Sequence, residues 1–382
     1  MPVQMKKVSL LLGSGFSQPA EFPSANELSE SLLDICNIKG DDSELPSHKE
    51  KVIFNKALLD FYISDKIRSE SSFNYELFFD WYNDLRDQYL SSSDLFPDFC
   101  TKFRETTKVS EDDQHIYQDL FRFNGFFQQQ IANRLWKDPS SISYSRYEEF
   151  TKFLKHLSDS KCEIHVHTLN HDLFFEGLSA SSSMELCDGF EEAGSPYYGE
   201  VGNGTRRRLE RFVDSFDHQM CLYKLHGSID LYCYNFGNRE FDMIKSPPHC
   251  GIWRLLKESV NKYGERSYHD NRMEYPVFLT GVKRKTRLYS HNLCFDKLFQ
   301  RFDLNLSESD GLIICGYGFQ DDGINQYLEG FIARENTVFC WINETDPRDV
   351  RPGLFERAQT RLFPIPKYLE RVSFDELNRI VA

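Results

Sequence analysis

Five short apolar runs, far apart in the chain, share one form. They are "KVSLLLG" (7–13), "CEIHVHTLN" (162–170), "LYKLHG" (222–227), "GLIICGYG" (311–318) and "TVFCWIN" (337–343). They do not alternate apolar and polar residues cleanly, as a strand with one wet face does. Near-continuous apolar runs are the mark of parallel strands covered on both faces. A sixth run, "YPVFLTG" (275–281), predicts another strand. Several runs close on Gly, Asn or His, turn, and continue in a helix-like pattern. That repetition restricts the chain to an α/β fold, a Rossmann-like doubly wound parallel sheet.

Between the first two runs the periodicity is helical. Ser24 and Glu27 form an S-x-x-E capping box ahead of Leu28, Leu32, Ile35 and Cys36. Phe73, Leu77, Trp81, Leu85 and Tyr89 recur at helical spacing, as do Ile116, Leu120, Phe123, Phe127, Ile131 and Leu135 after Ser110. Ser145 and Glu148 mark a last helix with Phe150, Leu154 and Leu157. These stripes are core. The pattern predicts a sheet domain, residues 1–40 and 158–382, interrupted by a helical insertion at 41–157. Residues 179–220 and 234–274 lack clear periodicity and are expected as loop and cover, with one helix near "GIWRLLKESVNKY" (251–263).

Charge and cysteine usage narrow the function. The formal net charge of −14 disfavours nucleic acid as the main ligand. Two basic clusters, 205–211 and 282–287, run against it as solvated faces, phosphate sites or partner surfaces. No apolar run approaches the ~20 residues that span a bilayer. The N-terminal "VSLLL" is shorter than the roughly 7–15 residues of a signal h-region and leads into a glycine turn. A first strand in a cytoplasmic protein is expected. Ten cysteines contain no CxxC pair, which removes local support for a zinc ribbon and fits a reducing compartment.

The chemistry-bearing residues stand where the predicted strands end, the edge at which parallel sheets bind ligands. In "GSGFS", Gly13 and Gly15 permit close backbone approach to a pyrophosphate, and Ser14 and Ser17 add hydroxyls. The third glycine of GxGxxG is Gln18 here, so a structural glycine turn fits the same residues. Thr168, Asn170, His171 and Asp172 crowd the second turn, as helix caps or as the wall of a site. His226 ends the third run, with Gly227 and Ser228 beyond it. Gly316 and Gly318 follow the fourth, with Asp321 and Asp322 near a helix start. Asn343 ends the fifth, where its amide reaches a ribose or turns the chain before Pro347.

In order along the chain, these loops resemble the sirtuin family. "GSGFS" is similar to its GAGxS cofactor loop, with Ser14 for Ala; "TLNHD" to its TxNxD motif; and "KLHGS" to the LHG motif that holds the catalytic histidine. "GYGF" stands in place of its GTS-type ribose loop and "WINETDP" of its late VIN segment, so the match spans Leu11 to Pro347. The insertion, "FPSANEL" and "GYGFQDDGIN" are closer to the bacterial sirtuin-like branch of anti-phage defence systems than to protein deacetylases. Deacetylases carry a four-cysteine zinc module after LHG; here Cys233 and Cys250 stand without paired spacing.

The resemblance therefore implies a zinc-free enzyme whose substrate is NAD+ itself, cleaved to nicotinamide and ADP-ribose so that NAD is depleted during phage infection. It implies Asn170 and His226 as catalytic residues. Gly13, Ser14, Gly15, Ser17, Thr168 and Asp172 would contact the dinucleotide on one side, and Gly227, Gly316, Tyr317, Gly318 and Asn343 on the other. It also implies a homo-oligomer paired with a HerA-type ATPase. The alternatives are an NAD-dependent protein deacylase or ADP-ribosyltransferase, and a non-catalytic NAD or ADP-ribose sensor module.

Overall fold

The computed structural model describes residues 5–36, 46–66, 73–87, 94–202, 204–235, 241–271, 275–278, 293–350, 353 and 361–381. The chain divides into two compact units. One takes in Met1–Phe22, Leu135–Leu279 and Thr286–Ala382; the other is built on Pro23–Arg134.

The first unit is organised by a six-stranded sheet. Its strands are β1 (Lys7–Leu12), β2 (Glu163–Thr168), β3 (Met220–Lys224), β4 (Gly311–Cys315), β5 (Val338–Ile342) and β6 (Leu362–Ile365). Their spatial order is β6-β5-β4-β1-β2-β3, with every pairing parallel. This is the doubly wound order, and it reverses between β1 and β4. The register is nearly flush: Leu12 lies opposite both Cys315 and Thr168, and Cys315 opposite Ile342. The loops after β1, β2, β4 and β5 therefore leave the sheet side by side.

Both faces are covered, which is why the strands read as continuous apolar runs. Leu10, Leu12, Val166, Ile313 and Cys340 pack with Phe153 and Leu157 of α1 (Glu148–Asp159) and Leu377 of a C-terminal helix, Phe374–Val381. On the other face Leu11, Leu312, Ile314 and Trp341 pack with residues such as Phe302 from helix Leu293–Glu308 and Leu328 from helix Asp322–Ile332. Each such side chain contributes about 1.5–3 kcal/mol on full burial. Successive residues thus serve opposite cores.

The segments on either side of β3 depart from expectation. Two four-stranded antiparallel sheets occupy the segments expected as loop and cover. One joins Tyr197–Val201, Arg206–Arg208, Ile252–Val260 and Arg266–Asn271; the basic cluster at 205–211 supplies its edge strand. The helix expected near 251–263 is therefore a strand and a turn. Leu255 and Leu256 are both buried, whereas Trp253, Val260 and Tyr263, whose spacing suggests a helix, are exposed. The other sheet contains Leu231–Asn235 and Phe241–Lys245. The run expected as a strand at 275–281 does not join the parallel sheet within its described part, 275–278. Val277 N–H donates to Leu231 O (2.8 Å) and Phe278 bridges Gly227. The remaining parallel strand is β6. Residues 279–281 and the basic cluster 282–287 lie outside the described residues.

In the second unit the Ser24–Glu27 capping box forms, with Ser24 N–H donating to Glu27 Oε2 (2.7 Å) and Glu27 N–H to Ser24 Oγ (3.2 Å). Helix Asp113–Leu135 buries Ile116, Leu120, Phe123, Phe127 and Ile131. Its cap is Asp112, which accepts from His115 N–H (2.9 Å). In the first unit, Ser145 lies in a 3-10 turn and α1 begins without a side-chain cap. Among the described residues no helix is long and apolar enough to cross a membrane.

Candidate functional site

The switch point between β1 and β4 brings two glycine loops into backbone contact. Gly13 N–H donates to Cys315 O and Gly15 N–H to Gly316 O, both at 3.0 Å. Gly316 has φ +64°, and a Cβ there would lie 2.2 Å from Phe16 N. A Cβ on Gly13 would meet Gly316 O at 2.6 Å. Only glycine fits this contact. The sequence reading gave Gly13 and Gly15 to pyrophosphate approach; their missing side chains here also admit the neighbouring loop.

Beside this contact lies a cleft of about 200 Å³. Of the residues expected to bind dinucleotide, Ser14, Gly15, Gly316, Gly318 and Asn343 line it. Gln18, Lys367 and Tyr368 also line it, the last two just beyond β6. The volume is below the roughly 300–1,000 Å³ of typical ligand pockets. Asn170 and His226 are not part of its lining.

The remaining expected residues form struts behind the cleft. Asn170 Nδ2 donates to Gly13 O (2.9 Å) and Ser17 Oγ (3.3 Å), while its backbone N–H donates to Thr168 Oγ1 (3.1 Å). Ser17 Oγ donates to Asp172 Oδ2 (2.9 Å), and Asp172 Oδ1 accepts from Phe174 N–H (3.0 Å). Asp172 thus ties the first residue of helix α2 (Phe174–Ser181) to the first glycine loop. Burial pushes its carboxyl above the usual carboxylate range, opposed by the ammonium of Lys224. Lys224, itself buried, donates to the Asp172 carbonyl and to Glu176 Oε1 (3.0 Å).

His226 is buried and its Nε2 lies 3.3 Å from Asp321 Oδ2. Gly227, with φ +83°, turns the chain so tightly that a Cβ would sit 2.3 Å from Val277 O. Asp321 Oδ1 caps helix Asp322–Ile332 by accepting from Gly323 N–H (2.9 Å) and Ile324 N–H (3.2 Å). Tyr317 is turned inward: its hydroxyl donates within a cluster of Asn325 Oδ1 (3.0 Å) and Asp321 O (3.1 Å). His171 packs on Phe278, with ring centroids 4.8 Å apart, and stands 6.4 Å from the His226 ring.

Sequence reasoning assigned no role to Lys224, Asp321, Lys367 or Tyr368. Two of them carry a signal: a lysine inside an apolar strand needs a buried acceptor, and the first Asp of "QDDGIN" sits at an N-cap position. Among the described residues no group of three or more His, Cys, Asp and Glu side chains is placed to hold a metal ion. Burial pushes the Cys233 thiol up to about 12, and Cys250 Sγ donates to Pro247 O (2.8 Å).

A search of curated proteins gives no match. Among solved structures, similarity is found to a Sir2 homologue–NAD complex (9% identity, 98% of this chain, 90% of that chain, TM-score 0.40). A Sir2 homologue mutant–ADP ribose complex is similar at 9% identity, with 98% and 92% covered and TM-score 0.39. A structure described as "The Structural basis of Sirtuin Substrate Affinity" is similar at 10% identity, with 98% and 93% covered and TM-score 0.34. The assignment rests on the family model described as SIR2-like domain, which matches residues 164–363, more than half of the chain. The chain belongs to the SIR2-like domain family.

Proposed function

We propose that this protein is an NAD+ glycohydrolase, cleaving NAD+ to nicotinamide and ADP-ribose. The observation that carries the reading is the setting of Asn170. Its Nδ2 is taken up by Gly13 O and Ser17 Oγ, and among the described residues no donor meets its Oδ1. A carboxamide fixed by its nitrogen, with its oxygen left as an acceptor, is suited to hold a water by one hydrogen.

In the reaction the bond from C1′ of the ribose to nicotinamide breaks, and its electron pair goes to the ring nitrogen. The leaving group departs neutral from a cationic ring, so no general acid is needed for its departure, unlike an ordinary glycoside. Water adds to the oxocarbenium-like C1′ and releases one proton. Asn170 orients that water. His226 contacts the ribose hydroxyls and accepts the proton. Asp172 and Thr168 hold the loop that carries Asn170, through Ser17 Oγ and the Asn170 N–H. Ser14, Gly15, Gly316, Gly318 and Asn343 face the dinucleotide from the cleft.

Incubating the purified protein with NAD+ and identifying products by mass tests the reading. Nicotinamide and free ADP-ribose without an acceptor support it. Turnover only with an acylated or nucleophilic acceptor replaces it with deacylase or ADP-ribosyltransferase chemistry, and binding without turnover with a sensor. Near-wild-type hydrolysis by Asn170→Ala or His226→Ala removes that residue from the mechanism. The sequence resemblance extends the proposal to NAD depletion in anti-phage defence, by a homo-oligomer paired with a HerA-type ATPase. Purification as a solitary monomer with full constitutive activity overturns that extension.

A further inference from the structure

We propose that Asp321 is the positioning residue of His226, fixing which imidazole nitrogen carries the proton. The inference rests on the role given to His226 above, and its physical core stands on geometry alone. The carboxylate divides its two oxygens between two tasks. Oδ1 accepts from Gly323 N–H and Ile324 N–H at the start of helix Asp322–Ile332, while Oδ2 faces His226 Nε2 at 3.3 Å.

The backbone of Asp321 is itself held, because its N–H donates to Tyr317 Oη (3.3 Å). Tyr317 is buried and reaches Asn325 Oδ1 on the same helix. The carboxylate is therefore presented to His226 by a fixed helix terminus, whose exposed amide dipoles favour its anion.

An ionised carboxylate only accepts hydrogen bonds, so the facing Oδ2 favours the neutral tautomer whose proton is on Nε2. Nδ1 is then the lone-pair nitrogen, and the neighbouring anion stabilises the imidazolium formed when it takes a proton. Besides Asp321, the titratable His171 stands near His226, at 6.4 Å between rings. A plain capping role is the competing account, since Asp at this position caps a helix whether or not a histidine is near.

Asp321→Asn separates the two. Asn caps as well as Asp, provided its Oδ1 stays on the two helix N–H groups. Its amide NH2 must then face His226 Nε2, which becomes an acceptor and moves the ring proton to Nδ1. Expected results are an unchanged melting temperature, a kcat for NAD+ hydrolysis lower by roughly 10²-fold with KM little altered, and a His226 imidazole pKa lower by roughly one unit. The last is read by NMR on labelled protein, with His226→Gln to assign the signal. Wild-type kcat together with an unshifted His226 titration overturns the proposal.

Should the wild-type protein release no nicotinamide, the glycohydrolase reading fails by itself. The His226 titration then decides the pairing: a lowered pKa in Asp321→Asn supports it and an unshifted one overturns it. Asp321→Ser, which also caps but leaves the imidazole without its anion, repeats the titration should Asp321→Asn fold poorly.

Discussion

Replacing Lys224 with methionine removes the cation that joins the helix after β2 to the turn before it. The ammonium is buried and meets the Asp172 carbonyl and Glu176 Oε1. Methionine keeps the apolar stem but leaves both acceptors unmet. Breaking a buried pair by deleting one partner costs about 3–5 kcal/mol. The Glu176 side chain retains 21% exposure, so water reaches it in part and the lower end applies, about 3 kcal/mol. At roughly 2 °C per kcal/mol for a unit of this size, melting should fall by roughly 6 °C.

The deficit should also depend on pH. Burial lifts the Glu176 carboxyl above its usual range, against the pull of Lys224. A folded-state pKa above the unfolded value means that the fold holds its proton more tightly, so stability is lost as pH rises through that interval. Without Lys224 the folded pKa climbs further. The Lys224→Met deficit is therefore largest near neutrality and shrinks on acidification towards about pH 4, where the unfolded carboxyl is protonated too. Circular dichroism melts at pH 4.5 and 7.5 measure this directly. The double variant Lys224→Met, Glu176→Leu should recover most of the loss, since an apolar pair replaces a buried ionic one without leaving a charge. A single variant that melts like wild type, or a double variant no better than the single, refutes the reasoning.

Gly316→Ala forces a Cβ to 2.2 Å from Phe16 N at positive φ; a stability loss of about 1–3 kcal/mol and weakened NAD+ binding should appear in melts and calorimetry. Ser17→Ala takes a donor from the buried Asp172 carboxylate, costing about 1.5–3 kcal/mol. Because burial already raises the Asp172 pKa, that loss should grow as pH rises from 4 to 7 in urea titrations. Treatment with 1,10-phenanthroline or EDTA should leave both melting temperature and NAD+ turnover unchanged, whereas a drop in either points to a structural metal.

The parallel sheet was legible because two covered faces make its strands near-continuously apolar, and five such runs stand out. β6 was not, because it is a four-residue edge strand containing Pro364, with Phe363 43% exposed. Proline is tolerated there since an edge N–H has no partner to lose. The hairpin around Asn261 misled for a different reason. Trp253, Val260 and Tyr263 fall near helical spacing, yet all three are exposed, so the periodicity recorded surface residues and no buried face.

For the site, strand ends showed which loops meet but not which way each side chain points. The flush register delivers Gly13, Thr168, Gly316 and Asn343 to one sheet edge, and that follows from the order of strands. What each does there depends on contacts both near in sequence, 8 residues from Tyr317 to Asn325, and far, 157 from Asn170 to Gly13. Tyr317 and Gly318 are neighbours, yet one is locked inward to Asn325 and the other lines the cleft. Asp172 reads as a cap or a ligand contact and instead links the first residue of α2 to Ser17. The same holds for Asp321, which reads as a helix cap until the third and fourth strands are set in one sheet and His226 arrives 3.3 Å from its second oxygen. A carboxylate has two oxygens, and the sequence around it accounts for only one of them; the other belongs to whatever the topology brings alongside. For both aspartates in this site, that second oxygen is the one tied to the proposed chemistry.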